Sequence, residues 1–383
     1  AIQERENDLV VATFGRGFYI LDDYTPLREM AMSQEITDKE AHIFPVEEAL
    51  MYIQTGGKYG QGSDFYRSPN PPFGATFTYY LKEVPKTLRE ERREKEKELF
   101  GEQQPIPQPT REMLREEAAE EAPYLVFAIR DESGNGVRKL YKKASKGINR
   151  ISWDLRYSSP YPVSAPSGGG GEASGDRVES SDPGLLIMPG TYSVELHLVA
   201  RGEVTRLVDP VEFRTTLLSH ATLPVEDHQG LIEFQREASE LTRVMTGTRR
   251  LAREQQSKLA AIHNAIKHTP GTGEEIFRQV QELEDGLEEV LFTLEGPDAR
   301  ASWEELPPME MPLNRRLSVL IRTHWSSTSE LTRTETDQLQ ILREEFPPVL
   351  AQLEQIVDEI SLLEDRLEQL KAPWTPGRLP ELE

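Results

Sequence analysis

The chain has 383 residues with 44 basic and 66 acidic side chains, which gives a formal net charge of −22 at pH 7. Nucleic acids and anionic membrane surfaces attract clustered positive charge, so this balance argues against both as partners. The chain contains no cysteine, which excludes disulfides, thiolate nucleophiles and cysteine-ligated metal sites. No apolar run of about 18 residues occurs, so no membrane-spanning helix is expected.

A β-hairpin is predicted near the start of the chain. Two short β-rich runs, 9–13 and 18–21, flank the turn Gly15-Arg16-Gly17. A single hairpin is marginally stable in water and needs further strands or a packing surface. Because residues 24–70 offer few strand signals, we expect the partner strands of this hairpin to lie outside the chain.

The same stretch carries a resemblance to a known family. Residues 7–23 read NDLVVATFGRGFYILDD, with the candidate interaction residues Thr13, Gly15, Arg16, Gly17, Asp22 and Asp23. This pattern resembles the end of a bacterial sortilin/VPS10-like β-propeller, a family often labelled BNR-repeat glycosyl hydrolases. The resemblance implies that the hairpin closes the last propeller blade and that an immunoglobulin-like domain and a helical region follow. The family usually carries His at the position of Phe14.

The resemblance also bears on location and partners. The chain begins at Ala1 without a signal-peptide pattern, and we expect it to be the C-terminal part of a longer, exported protein. Such a protein would be extracellular, at the cell surface or in the periplasm. The expected partners are other proteins, above all upstream propeller blades in the same polypeptide or in a separate chain that carries them.

The predicted fold class is a multidomain α+β chain with a terminal propeller-blade hairpin, an immunoglobulin/fibronectin-like β-sandwich and an α-helical bundle. The expected boundaries are 1–30 for the incomplete last blade, 31–70 for a linker, 71–216 for the sandwich, 224–371 for the bundle and 372–383 for a tail. Within the sandwich, a charged insertion covers 83–122 and a Gly/Ser-rich loop covers 160–184.

Alternating β-rich runs between Gly- and Pro-marked turns favour the sandwich. Trp153 is expected in its core, and Asp154-Leu155-Arg156 is similar to the family's sandwich domain, so Trp153, Asp154 and Arg156 are candidate structural or interaction residues. The dipeptide Asn135-Gly136 predicts a hairpin turn, because both residues tolerate positive φ. A calcium loop is the alternative, but it lacks the bidentate Glu that such loops place at a fixed distance.

The charged insertion predicts a solvated or disordered segment. Eleven of the thirteen residues in 86–98 are charged, so they cannot bury an apolar face, although i,i+4 ion pairs would support a helix. A docking arm for a partner is the alternative function. The four glycines at 168–171 lack the Gly-Lys-Ser/Thr of a phosphate-binding loop and predict a flexible loop.

After Pro224 the apolar spacing changes to alternating steps of three and four residues, which predicts helices. Four helices are expected, with a Pro-rich break at 296–312 and a capping box at 272–275 opening the second. The fourth is expected to begin near Thr334 and to bend at Pro347-Pro348. One apolar stripe on each helix favours a bundle core, with a partner-binding groove as the alternative.

Motifs for catalysis or metal binding are absent from the sequence. His263 and His268 are five residues apart, so they diverge on a helix, and His324 is expected on a helix flank. No Gly-x-Ser-x-Gly and no sialidase-type Asp-box occurs. Asp22 and Asp23 are the carboxylate pair that most suggests a catalytic site. Neighbouring strand residues face opposite sides of a sheet, so the two are not expected to enter one cleft. We therefore assign no catalytic residue, no metal ligand and no cofactor.

The leading hypothesis is a non-catalytic interaction and assembly region of a secreted sortilin-like propeller protein. The first alternative is an accessory part of a glycan- or peptide-cleaving propeller hydrolase whose active site lies outside this chain. The second alternative is a structural component of a cell-surface assembly, which the acidic helices permit. A family resemblance does not by itself establish chemistry, so these functions need different tests.

Overall fold

The computed structural model describes residues 1–53, 70–163, 184–218, 224–297, 302–322, 324–325 and 327–380. It is a mixed α+β protein with several small sheets and C-terminal helices. The chain divides into two compact units, one comprising Ala1–Ser159 with Pro166–Ala221 and the other Pro160–Ala165 with Thr222–Glu383. Most of the Gly/Ser-rich loop and the end of the expected linker lie outside the described residues.

The first unit contains the strands and four helices. The strands are β1 (Ile2–Gln3), β2 (Asp8–Thr13), β3 (Gly17–Leu21), β4 (Ala41–Ile43), β5 (Ala49–Met51), β6 (Ala75–Leu81), β7 (Tyr124–Asp131), β8 (Gly136–Lys143), β9 (Gly147–Trp153), β10 (Gly190–Ala200) and β11 (Glu203–Leu217). The helices are α1 (Thr25–Met32), α2 (Glu35–Asp38), α3 (Leu88–Gly101) and α4 (Arg111–Ala119).

The strands form three sheets in the described part of this unit. The first has the order β1-β2-β3, the second β5-β11-β10-β7-β8 and the third β4-β6-β9. All neighbours are antiparallel except β5 and β11, which are parallel. The segment 31–70, expected as a linker, therefore contributes two strands to the sheets. Each is three residues long, which is too short for a period of two to stand out in the sequence.

The second and third sheets share one hydrophobic core. Phe77 of β6 stacks on Phe127 of β7 with ring centroids 6.4 Å apart, and Trp153 meets Tyr192 of β10 edge to face at 5.5 Å. Trp153 is fully buried in this core, as its sequence context predicts. Aromatic pairs of this kind add about 0.5–1.5 kcal/mol each beyond the area they bury, so they tie the two sheets together.

The hairpin between β7 and β8 forms at the predicted place but with a different turn residue. Gly134, not Asn135 or Gly136, has the left-handed backbone, with φ of 80°. The backbone N–H of Asn135 donates to Asp131 Oδ1 at 2.8 Å, and its side-chain amide donates to both oxygens of that carboxylate. Asp131 therefore closes the turn itself, which favours the turn over the calcium loop.

The charged insertion forms the helices α3 and α4. Arg92 donates from Nε and Nη2 to the carboxylate of Glu117 at 2.5 and 2.8 Å, which joins the two helices. Arg201, in the turn between β10 and β11, donates to Glu91 at 2.5 Å and to Glu120 at 3.3 Å. Because α3 buries none of its residues, ion pairs rather than an apolar core hold these helices in place.

The second unit contains the long helices α5 (His228–Lys267), α6 (Glu274–Glu295), α7 (Leu313–Arg322) and α8 (Arg333–Gln369), and a short 3₁₀ helix at Trp303–Glu305. Each of the four long helices contacts the other three. Their inward positions follow the predicted apolar stripes and include the buried Ile262, Leu287, Leu317 and Leu353. The helix α8 continues through Pro347 and Pro348, where the sequence predicts a bend.

The predicted capping box at the start of α6 does not form. Gly273 occupies the N-cap position and makes no side-chain cap hydrogen bond. The Thr272 hydroxyl instead donates to the carbonyl oxygens of Ile266 and Thr269, at 2.8 and 2.7 Å. The last turn of α5 leaves carbonyls without helical partners, and these compete successfully for the hydroxyl.

Candidate interaction site

The predicted hairpin is formed by β2 and β3, which pair from Leu9 with Leu21 to Thr13 with Gly17. Gly15 and Gly17 both have left-handed backbones, with φ of 74° and 95°, a conformation that favours glycine. The Thr13 hydroxyl donates to the Gly17 carbonyl at 3.2 Å across the turn. Arg16 is exposed between the two glycines. The candidate residues of this motif therefore build the turn itself.

Both faces of this hairpin present apolar side chains to solvent. Successive strand residues point to opposite faces, so Phe18 and Ile20 lie on one face and Tyr19 and Leu21 on the other. Phe18 is 79% exposed and Ile20 62% exposed, and Tyr19 is 58% exposed. A strand that is apolar on both faces is typical of a sheet covered on both sides.

The hairpin sheet also has an open edge. β3 is the last strand in the order β1-β2-β3, and no further strand pairs with it among the described residues. The opposite edge is formed by β1, which is only two residues long. An exposed, apolar edge strand is a ready template for pairing with another strand. The β3 edge is therefore the part of the hairpin best suited to accept a partner.

The base of the hairpin is held by hydrogen bonds between backbone N–H groups and its own aspartate side chains. The backbone N–H of Asp23 donates to Asp8 Oδ1 at 3.1 Å, and Asp23 Oδ1 accepts from the Thr25 N–H at 3.0 Å. Asn7 and Asp23 both have left-handed backbones, with φ of 53° and 43°. Asn and Asp tolerate this conformation better than other non-glycine residues. These contacts set the direction in which the hairpin leaves the sheets.

Arg150 of β9 ties this base to the third sheet. Its Nη2 donates to the carbonyl oxygens of Asp22 and Asp23, both at 2.6 Å, across more than 120 residues of sequence. Lys142 Nζ donates to the Arg150 carbonyl at 2.5 Å. Sequence reasoning missed Arg150, because nothing local distinguishes it from other charged strand residues. The hairpin is thus fixed at its base and open at its edge and faces.

A cleft of about 590 Å³ lies beside the base of the hairpin. Asp22 and Asp23 both line it, so the strand alternation that would keep them out of one cleft does not apply. The physical reason is that β3 ends at Leu21, and the left-handed Asp23 breaks the strand alternation. The other charged residues that line the cleft are Arg5, Glu6, Asp8, Glu47, Glu48 and Arg150.

Several carboxylates of this cleft accept hydrogen bonds from neighbouring groups of the protein and so stabilise the base of the hairpin. Partial burial raises the pKa of Glu47, as do Asp23, Glu6 and Asp8, although a hydrogen bond from Asn7 Nδ2 opposes the rise. Asp8 and Asp23 each accept a backbone N–H. Within the described ranges, no group of three or more His, Asp or Glu residues is arranged to hold a metal ion.

The remaining candidates, Trp153, Asp154 and Arg156, lie outside this cleft. Trp153 Nε1 donates to the Arg156 carbonyl at 3.0 Å, and Arg156 Nη1 donates to the Gly184 carbonyl at 3.2 Å. Between them Leu155 is fully buried with a left-handed φ of 56°. Burial lowers the pKa of Arg156. These residues form a tight bend after β9, so their role in the structure is to stabilise that bend.

Among the described helices, none is both long enough and apolar enough to cross a bilayer. Comparison of the sequence with models of protein families and with curated proteins finds no match.

Proposed function

We propose that this chain is a non-catalytic interaction and assembly region of a secreted, sortilin-like propeller protein. In this proposal, the hairpin β2–β3 completes a propeller blade whose other strands pair with the β3 edge. The two sheets that share a core would be the immunoglobulin/fibronectin-like sandwich, and the four long helices would be the bundle that follows. The protein would act outside the cell, at its surface or in the periplasm.

The observation that carries the proposal is that the hairpin is fixed at its base but exposes apolar side chains on both of its faces. Phe18, Tyr19 and Ile20 are all more than half exposed, while the base is held by Arg150 and Asp8. A flexible segment would lack hydrogen bonds that fix its base. A hairpin that needs no further partner would have a polar face toward solvent. Main-chain pairing at an open edge supplies affinity, and side chains on alternating faces supply specificity.

The first experiment compares the natural polypeptide with the 383-residue chain. Amide hydrogen exchange is measured across β2 and β3 in both, and mass spectrometry gives the limits of the natural chain. We expect the amides on the open edge of β3 to be protected in the natural protein and to exchange fast in the isolated chain. A natural mature chain that begins at Ala1, is monomeric and exchanges equally fast would refute the proposal.

A pair of variants tests the role of the edge. Ile20→Asp places a charge on an exposed face of β3, while Val204→Asp places one on an exposed position of β11. We expect Ile20→Asp to weaken association with the blade-bearing chain at least about tenfold, because a charge would be buried without a partner. Val204→Asp should leave association unchanged. Equal effects of the two variants would argue against pairing at β3.

The hydrolase alternative makes a different prediction. If this chain only supports an active site elsewhere, a library of glycans and peptides should be cleaved by the natural protein and not by the isolated chain. Cleavage by the isolated chain would refute the non-catalytic assignment. The surface-assembly alternative would appear as ordered filaments or lattices in electron micrographs of the native material.

A further inference from the structure

A second cavity, of about 410 Å³, lies at the β8 edge of the five-stranded sheet. The residues that line it include the apolar Ala128 and Val137 and three cations, Arg130, Arg138 and Lys139. No acidic residue lines it among the residues that the structure describes. A cavity whose charged lining residues are all cationic is unexpected in a chain whose net charge is −22.

The three cations differ in how their charge is balanced. Arg130 Nε donates to Glu195 at 2.9 Å, so its charge is matched. Arg138 is only 8% exposed, and its Nη1 donates to the Tyr157 carbonyl at 2.7 Å. Neither Arg138 nor Lys139 forms an ion pair with any described residue. Two positive charges at this cavity therefore have no negative partner within the described chain.

A buried, unmatched guanidinium costs free energy, so its retention points to a use. The Tyr157 carbonyl fixes one arm of Arg138, which removes much of the side-chain entropy that a ligand would otherwise have to overcome. A guanidinium presents its remaining donors in a planar fork, and this geometry matches an oxyanion such as carboxylate or sulfate. Lys139 adds a second, exposed charge.

The position of the two residues is consistent with a shared site. Arg138 and Lys139 are neighbours on a strand, and such side chains leave opposite faces of a sheet. However, β8 is the last strand in the order β5-β11-β10-β7-β8, and its register with β7 shifts between Ile129 and Arg130. A cavity beyond such an edge can be bordered from both faces, and both residues do line it.

We propose that this cavity binds a small ligand through an oxyanion group, a carboxylate or a sulfate. Arg138 and Lys139 neutralise the anion, and Ala128 and Val137 contact the uncharged part of the ligand. This site is independent of the hairpin and does not rest on the propeller assignment. It needs no metal and no covalent step.

Titration calorimetry with three probes tests the proposal: sodium glucuronate, glucose 6-sulfate and glucose. We expect at least one of the two anionic probes to bind saturably and the neutral sugar not to bind. Comparing glucuronate with the sulfate identifies which oxyanion is preferred. Binding should weaken as ionic strength rises, because part of the charge is exposed to solvent. Failure of both anionic probes to bind, or equal binding of glucose, would overturn the proposal.

Two matched variants locate the site. Lys139 and Lys143 are both exposed on β8, but only Lys139 lines the cavity. Lys139→Glu should weaken binding of the preferred anion at least about tenfold, since an attraction becomes a repulsion. Lys143→Glu should leave it unchanged. Because Arg138 is buried, its replacement would also disturb folding. The comparison of Lys139→Glu with Lys143→Glu therefore decides the result. Equal affinities of the two variants would overturn the assignment.

Discussion

His324 and Glu335 lie side by side in a buried part of the helical unit, whereas the sequence predicts that His324 lies on a helix flank. His324 is completely buried in the turn that follows α7, and its Nε2 lies 3.3 Å from Glu335 Oε1. Glu335 Oε2 accepts from the Thr332 N–H at 2.8 Å and from its hydroxyl at 2.7 Å. Burial alone would raise the pKa of Glu335, but the contacts with His324 and Thr332 outweigh it and lower the pKa to about 2.

This lowered pKa predicts acid sensitivity. A carboxyl whose pKa is lower in the folded than in the unfolded state stabilises the fold above its unfolded pKa, and this contribution is lost as the pH falls through the folded value. We expect the wild-type chain to lose about 3 kcal/mol of unfolding free energy between about pH 5 and pH 2 from this group. Glu335→Gln should remove that pH dependence and also destabilise the protein at pH 7.

Urea denaturation of the helical unit at several pH values measures this effect. Glu354→Gln, an exposed change on the same helix, serves as the control and should keep the acid dependence of the wild type. An unchanged pH profile in Glu335→Gln would show that the buried pair is not the source of the acid sensitivity.

Arg150 gives a second prediction for a single residue. Arg150→Met removes both hydrogen bonds that Nη2 donates to the Asp22 and Asp23 carbonyls but keeps much of the side-chain volume. We expect local opening of the hairpin base to become easier by about 1–3 kcal/mol, because hydrogen bonds from a charged donor are lost. Amide exchange and limited proteolysis at residues 8–25 measure this. Lys146→Met, an exposed change just before β9, should have no such effect.

At the scale of elements, the open, apolar β3 edge of the hairpin favours unwanted association with other chains. An apolar edge strand pairs readily with other chains, and a lysine on such an edge is a common protection. We expect Ile20→Lys to reduce self-association of the isolated chain, as measured by light scattering, while changing its unfolding free energy by less than about 0.5 kcal/mol. Val204→Lys should not reduce self-association. Increased aggregation of Ile20→Lys would contradict this interpretation of the edge.

The segment after α8 is packed on the helices, although the sequence treats it as a tail. Thr375 and Arg378 are buried, and Arg378 Nε lies 2.8 Å from Glu368 Oε2. Arg378 Nη2 donates to the carbonyl oxygens of Ala372 and Pro373, at 2.8 and 2.7 Å. The left-handed Gly377, with φ of 91°, lies against Lys258 of α5. This segment therefore closes one end of the helical unit.

The packed segment predicts a large effect of one substitution. Arg378→Ala removes the ion pair with Glu368 and the hydrogen bonds to the carbonyls of Ala372 and Pro373, and we expect a loss of about 3 kcal/mol in unfolding free energy. Arg333→Ala breaks an exposed pair with Asp337 and should cost less than about 1 kcal/mol. Chemical denaturation of the two variants beside the wild type makes the comparison. Similar losses for both would show that the C-terminal segment contributes little to stability.

At the scale of the whole molecule, each unit has its own hydrophobic core. Residues 221–383 carry 17 basic and 31 acidic side chains, a net charge of −14, and the long helices bury their apolar stripes among themselves. Because a compact unit with its own core can fold alone, we expect the fragment 222–383 to show a helical circular dichroism spectrum and one cooperative thermal transition. A non-cooperative melt would show that it depends on the rest of the chain.

Sequence reasoning was most successful where a pattern repeats over many residues. The long helices lie close to their predicted positions, because apolar residues that recur at helical spacing over several turns leave little ambiguity. The hairpin turn at Gly15 and Gly17 was also predictable, since only glycine adopts such backbones readily. The three-residue strands β4 and β5 and the missing capping box were not predictable, because each depends on competition with distant or neighbouring groups.

The sequence by itself determined the α+β content, the hairpin, the helical stripes and the lack of cysteine chemistry. The tertiary structure alone decided that Asp22 and Asp23 share a cleft, that Arg150 anchors the hairpin, and that Glu335 pairs with a buried His324. The reason is physical. Periodicity and turn chemistry act between residues a few positions apart, whereas the partner of a charge, or its lack of one as at Arg138, is set by whichever distant segments folding brings beside it.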